Sequence, residues 1–150
     1  MNKEKIKVGV IGCGNISGIY FKNMKLFPVL DVVACADINN DASSAKAKEY
    51  GISKVVSVEE MLKDEEIGII VNLTIPNAHA EIAISALESG KSVYNEKPLA
   101  ITREDGQKIV NLAKTKKLLV GCAPDTFLGG GIQTCRKLIE DGVIGEIVGA

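Results

Sequence analysis

The stretch Ile6-Lys7-Val8-Gly9-Val10-Ile11-Gly12-Cys13-Gly14-Asn15-Ile16-Ser17 decides how the remainder of the chain is read. Ile6 to Ile11 is a short, largely apolar run of the kind that forms a strand buried on both faces. The first glycine of the loop follows at once and helical spacing soon sets in. This predicts a helix from about Asn15 to Phe27 with Ile16, Ile19, Tyr20 and Met24 on one face. Pro28 ends it. A strand that turns through glycines into a helix aims backbone N–H groups and the positive helix end at one point, where a pyrophosphate binds. Here Gly12 permits the tight turn, Gly14 lets the backbone approach the phosphates, and Asn15 and Ile16 open the helix. Ser17 replaces the last glycine of the G-x-G-x-x-G pattern and is still small enough for close helix–strand packing. The pattern alone is a weak signal, because any tight strand–helix turn can carry glycines. Its place after the first strand strengthens it.

Leu30 to Ala36 reads as a second apolar strand, terminated by Asp37. A helix is expected from Asp41 to Tyr50, ended by Gly51, then a short strand at Val55-Val56. Ser57 and Glu60 form a capping-box pattern that opens a brief helix. Ile67 to Leu73 is the next strand, and Ala78 to Ser89 a helix that buries Ile82, Ala83, Ala86 and Leu87. Ser92 to Asn95 (strand), Thr102 to Lys116 (helix, with Ile109, Val110, Leu112 and Ala113 inward) and Leu118 to Gly121 (strand) complete the series. Short strands alternating with helices predict an α/β fold, a doubly wound parallel sheet of the Rossmann type with helices on both faces. The expected strand order is 3-2-1-4-5-6, with the ligand site at the carboxyl ends of the strands. This dinucleotide-binding domain is expected over residues 1–121. Residues 122–150 are expected to hold a connecting helix, Ile132 to Asp141 capped by Gly142, and at Ile147-Val148 the start of a second domain.

Of the 150 residues, 46% are hydrophobic and 25% charged, the balance of a globular protein. With 18 basic and 19 acidic side chains the net charge is -1, and no arm is dominated by Lys and Arg, so no nucleic-acid partner is expected. No run approaches the ~18 apolar residues of a membrane span. Met1 to Lys5 is charged and lacks the apolar core of a signal peptide, so the expected location is cytoplasmic. Cys13, Cys35, Cys122 and Cys135 are widely spaced and read as free, mostly buried thiols. Cys13 reads as a small filler beside the ligand rather than a reactive thiol. The sole histidine, His79, has no cysteine near it in sequence, and no metal site is expected.

Asp37 stands at the end of the second strand, about 20 residues beyond the glycine loop, where a carboxylate accepts hydrogen bonds from ribose hydroxyls. The same charge repels a 2′-phosphate, and Ile38, Asn39 and Asn40 offer no cation to receive one. NAD is therefore expected over NADP. The competing role for Asp37 is a helix cap or turn residue. Two further polar loops, Thr74-Ile75-Pro76-Asn77-Ala78-His79 and Asn95-Glu96-Lys97-Pro98-Leu99-Ala100, leave the fourth and fifth strands at the same edge.

These residues, together with Val8 to Gly14, Asp37 and Gly90-Lys91, resemble the Gfo/Idh/MocA family of oxidoreductases over essentially the whole chain. The Glu-Lys-Pro segment is the most specific part. The resemblance implies a cofactor-binding Rossmann domain followed by a second domain with a large open sheet that completes the substrate site. It implies that Lys97 is the catalytic lysine, placed at the substrate oxygen, where its charge suits a developing alkoxide. It further implies that Glu96 contacts the nicotinamide ribose, and that Thr74, Pro76, Asn77 and His79 line the nicotinamide half of the site. Pro98 is expected to follow a cis peptide that aims Lys97 into the crevice. Asp125, in the loop after the last strand, is expected to border the pocket or fix a turn.

Family members are much longer than this chain, and their catalytic Asp and His lie in the second domain. The expectation is thus the cofactor part of an NAD-dependent dehydrogenase for a sugar, cyclitol or related polyol, inactive by itself and homo-oligomeric at full length. A non-catalytic nucleotide-binding or regulatory module remains an alternative; a long continuation carrying Asp and His separates the two. A methyltransferase also uses a glycine loop and an acid after the second strand, but the Glu96-Lys97-Pro98 loop argues against it.

Overall fold

The computed structural model describes residues 5–149, so most of the charged leader Met1 to Lys5 lies outside the described residues. The first strand, β1 (Ile6–Ile11), sits at the middle of a six-stranded sheet with order β3-β2-β1-β4-β5-β6, and every pairing is parallel. The other strands are β2 (Leu30–Ala36), β3 (Lys54–Val55), β4 (Ile67–Asn72), β5 (Ser92–Asn95) and β6 (Val120–Cys122). The helices are α1 (Ser17–Met24), α2 (Asn40–Tyr50), α3 (Val58–Lys63), α4 (Pro76–Glu88), α5 (Arg103–Lys116) and α6 (Gly130–Glu140). A 3-10 turn, Thr126–Leu128, precedes α6.

Side chains alternate across the strands and build two cores. Val8, Val10, Cys35 and Val71 pack with Phe21 and Met24 of α1 and Ala47 of α2. Ile11, Ile70 and Val93 pack on the opposite side with Met61 of α3, Ala83 and Leu87 of α4, and Ile109 of α5. The helices thus cover both faces, as a parallel sheet requires.

Several boundaries move, each for a local reason. Helix α1 is shorter than its apolar spacing predicts, and its buried stripe is Ser17, Phe21 and Met24. Ile16 and Ile19 are about half exposed instead. Together with Tyr20 they line an open groove of about 1020 Å³ over β4 and β5. At the other end of α1, Leu26 and Phe27 are held in a turn by bonds to Asn23 and Met24 carbonyls. Asn39 caps α2 by accepting from the Asp41 and Ala42 N–H groups. Helix α4 begins two residues early because Pro76 fits its first turn, where a missing N–H costs nothing. Strand β6 is shifted because α5 closes with Lys117 left-handed (φ 57) and the Leu118 N–H returned to Ala113. The capping box of Ser57 and Glu60 on α3 forms as expected.

Helix α6 buries none of its residues, and Ile132, Leu138 and Ile139 lie exposed. Of the four thiols, expected to be mostly buried, Cys13 and Cys35 are buried, Cys122 is partly so and Cys135 is exposed with α6. Ile147-Val148 forms no strand, since no described residue pairs with it. No described helix is long and apolar enough to cross a membrane.

The edge of the sheet opposite the carboxyl ends is fastened by a buried cation. Lys91, 3% exposed, donates to the carbonyls of Asp64 (2.6 Å) and Ile67 (3.0 Å), joining the end of α3 to the start of β4. Burial pulls its ammonium below the usual lysine range. Replacing Lys91 by Met leaves both carbonyls without that donor, and urea denaturation is expected to show a loss of about 1.5–3 kcal/mol. Unchanged stability would contradict this role.

Candidate cofactor and active site

Three segments meet at the carboxyl edge of the sheet. The first leaves β1. Gly12 has φ +101, and a Cβ there would lie 2.6 Å from the carbonyl carbon and oxygen of Leu73. Glycine is therefore required twice, by dihedral and by contact. Gly14 differs: nothing stands within 4 Å of where its Cβ would be. Its missing side chain leaves room for a ligand rather than for the protein. Among the described residues, the N–H groups of Gly14, Asn15 and Ile16 make no hydrogen bond, and they precede the positive end of α1. That is the donor set a diphosphate needs. Ser17 does more than fit: wholly buried, its hydroxyl donates to Gly14 O at 2.7 Å and fixes the loop.

The second segment is the tip of β2. Asp37 Oδ2 accepts the Cys13 N–H at 2.6 Å, and Oδ1 accepts the Asn39 N–H at 2.8 Å. The carboxylate therefore joins the glycine loop to the second strand, and each oxygen keeps capacity for a further donor. The helix cap itself is Asn39, not Asp37. Ile38 beside it is fully exposed. Cys13 is buried with its Sγ donating to Ala36 O at 3.6 Å, and the adjacent Cys35 sulfur, burial and the nearby Asp37 push its thiol up.

The third segment combines the loops after β4 and β5. Pro76 and Asn77 are exposed on the first turn of α4, and Thr74 is half-buried before it. Lys97 is exposed, makes no ion pair among the described residues, and is joined to Pro98 by a cis peptide bond. Glu96 Oε2 accepts the Lys97 N–H at 2.7 Å, while Oε1 accepts the Tyr20 hydroxyl at 2.9 Å. Burial and the Glu96 carboxylate hold the Tyr20 hydroxyl well above its ordinary range, so it remains a donor. Tyr20, Glu96, Lys97 and Asp125 share the rim of the groove. The Asp125 backbone carbonyl accepts the Leu128 N–H, while its side chain makes no capping bond to that turn.

His79 is placed differently from the expectation. It is 1% exposed and lies beneath the site, with both ring nitrogens on backbone carbonyls. Sequence reasoning missed Tyr20 as a site residue because its spacing matched a core stripe. It also missed Asn72 and Asn95, both fully buried at the ends of β4 and β5. A polar amide closing each of two apolar strands was the available signal. Among the described residues, no group of His, Cys, Asp and Glu is arranged to hold a metal ion.

The family model described as "Oxidoreductase family, NAD-binding Rossmann fold" (GFO_IDH_MocA) matches residues 6–123. An uncharacterized oxidoreductase of Schizosaccharomyces pombe is 31% identical, over 95% of this chain and 40% of its own. An inositol 2-dehydrogenase/D-chiro-inositol 3-dehydrogenase of Lacticaseibacillus casei is 30% identical, over 93% of this chain and 42% of its own. A 3-ketoreductase from Actinomadura kijaniata, solved with TDP-benzene and NADP, superposes with a TM-score of 0.89 at 26% identity, covering 96% of this chain and 46% of that one. The chain therefore spans about two fifths of the length of the curated relatives it matches.

The two loop glycines are expected to separate in experiment. Gly14→Ala should melt like the wild type yet lose about tenfold or more in NADH affinity, because its methyl enters the phosphate space. Gly12→Ala should be destabilised by about 2 kcal/mol or more through strain and overlap with Leu73. Thermal melts and NADH titration check both, and a Gly14→Ala variant that binds normally would contradict the assignment.

Proposed function

The chain belongs to the Gfo/Idh/MocA family of oxidoreductases, with a NAD-binding Rossmann domain, and from that premise we propose a specific role. It is the cofactor half of an NAD-dependent dehydrogenase that acts on a secondary alcohol, or the matching ketone, of a sugar, cyclitol or related polyol. One observation carries this reading: the glycine loop, Asp37 and the Glu96-Lys97-Pro98 loop converge on one edge of the sheet. The inositol dehydrogenase and 3-ketoreductase relatives support the substrate class.

The residues present fit a dinucleotide. The free N–H groups at Gly14, Asn15 and Ile16 suit its diphosphate, and Asp37 suits the adenosine ribose. Thr74, Pro76 and Asn77 with Glu96 border the nicotinamide half. When bound, NAD supplies the hydride acceptor or donor. The Lys97 ammonium, free on the rim, stabilises negative charge developing on the substrate oxygen and moves a proton at that atom. Glu96 holds the start of that loop through the Lys97 N–H and is itself held by Tyr20. The substrate half belongs to a second domain for which residues 122–150 are the connection. The unburied α6 and the open apolar groove support this, as does the length of the relatives. Residues 1–150 by themselves are expected to bind cofactor and to turn over slowly or not at all.

NAD is preferred over NADP because Asp37 adds a negative charge and Ile38, Asn39 and Asn40 add no cation. Calorimetric titration is expected to give a Kd for NADH about tenfold or more below that for NADPH. Asp37→Ser should weaken NADH and narrow that gap. Tighter NADPH binding, or an Asp37→Ser variant with unchanged NADH affinity, would overturn the reading.

A further inference from the structure

Beneath the exposed loops after β4 and β5 lies a buried polar layer. Asn72 and Asn95 are register partners in adjacent strands, and both are fully buried. Asn72 Nδ2 donates to Asn95 Oδ1 (3.1 Å) and to the His79 carbonyl (3.1 Å). Asn72 Oδ1 accepts from the Thr74 hydroxyl at 2.7 Å. Asn95 Nδ2 donates to Leu99 O at 3.0 Å. The His79 ring lies between the two loops: Nδ1 is 2.6 Å from Pro98 O and Nε2 is 2.9 Å from Thr74 O, and a neutral ring donates to one of these carbonyls and packs against the other. No buried side-chain polar atom among the described residues lacks a partner.

We propose that His79 is a positioning residue: the rigid ring ties the Thr74 loop to the Lys97–Pro98 loop from below and so fixes the gap that receives the nicotinamide. The carbonyl it grips at Pro98 belongs to the residue next to Lys97. Asn95 holds the following carbonyl, so the loop is pinned at two consecutive residues while the Lys97 side chain points free. A planar ring transmits position where a flexible side chain would not, and errors of about 1 Å at such a site cost large factors in function. The diphosphate loop and Asp37 hydrogen-bond to neither His79 nor the two asparagines. The clamp therefore acts on one half of the dinucleotide only.

This inference rests on the reading that the edge binds NAD, and the test separates the two. Affinities for NADH and for ADP-ribose, which lacks the nicotinamide, are measured by calorimetry for the wild type, His79→Leu and His79→Gln, with thermal melts alongside. The Leu variant is expected to keep ADP-ribose affinity within about twofold while losing about tenfold for NADH, and Gln, which still donates an N–H, to recover part of it. A purely structural histidine would weaken both ligands by the same factor, and that result overturns the proposal. So does a Leu variant that binds both as the wild type does. If His79→Leu does not fold, the wild type still decides. His79 is the only histidine, so its ring N–H resonance is unambiguous; it should be slow to exchange and should shift with NADH but not with ADP-ribose. A fast-exchanging ring proton, or equal shifts with both ligands, overturns the proposal. Wild-type protein that binds neither ligand overturns the cofactor reading itself.

Discussion

At the carboxyl end of β1 the backbone has to leave the sheet between β2 and β4, and Gly12 passes through that gap. Its N–H still bonds to Ala36 O at 2.8 Å, as the Leu73 N–H bonds to Ile11 O at 2.8 Å, so both neighbours remain locked to it. A side chain there would strike the Leu73 carbonyl. Because β1 is central and all pairings are parallel, every strand delivers its following loop to this edge. The glycine loop, Asp37 and the Lys97 loop are neighbours in space for that reason, although far apart in sequence.

The hydrogen bonds above the sheet turn proximity into a defined arrangement. Asp37 reaches back to the Cys13 amide, Glu96 reaches across to Tyr20 of α1, and the two asparagines meet beneath the Thr74 and Lys97 loops. Each of these links joins segments separated by more than twenty residues. Local structure makes the elements, and these few polar contacts fix the loops against one another. In a half-dry setting each is a charged or fully satisfied bond, the kind that resists rearrangement.

Elements with a local chemical cause were legible in the sequence. Ser57 and Glu60 announced the start of α3, and the apolar runs the strands with their order. Spacing and a loop motif single out Asp37 and Lys97 as candidates, and the structure places both at the carboxyl edge of the sheet. What escaped depended on tertiary packing. Apolar spacing puts Ile16, Ile19, Tyr20 and Met24 on the inner stripe of α1, yet of these only Met24 is buried and Ser17 and Phe21 face the core beside it, since part of the helix borders an open groove. His79 looked like a cofactor contact because its position is near the loop, whereas its direction depends on two carbonyls from distant segments. Ile147-Val148 had strand composition but no partner to pair with among the described residues. Periodicity reports which residues are apolar; it does not report which neighbour arrives.

The central claim is that one edge of this sheet receives the whole length of an NAD molecule. An amide-resolved NMR titration of the chain with NADH tests it most directly. The account predicts shifts at Gly14, Asn15 and Ile16, around Asp37, and at Thr74, Asn77, Glu96 and Lys97, with Lys91 and the Asp64 end of α3 at the opposite edge unmoved. Shifts centred on that opposite edge, or on the glycine loop with none at Thr74 or Lys97, would contradict it.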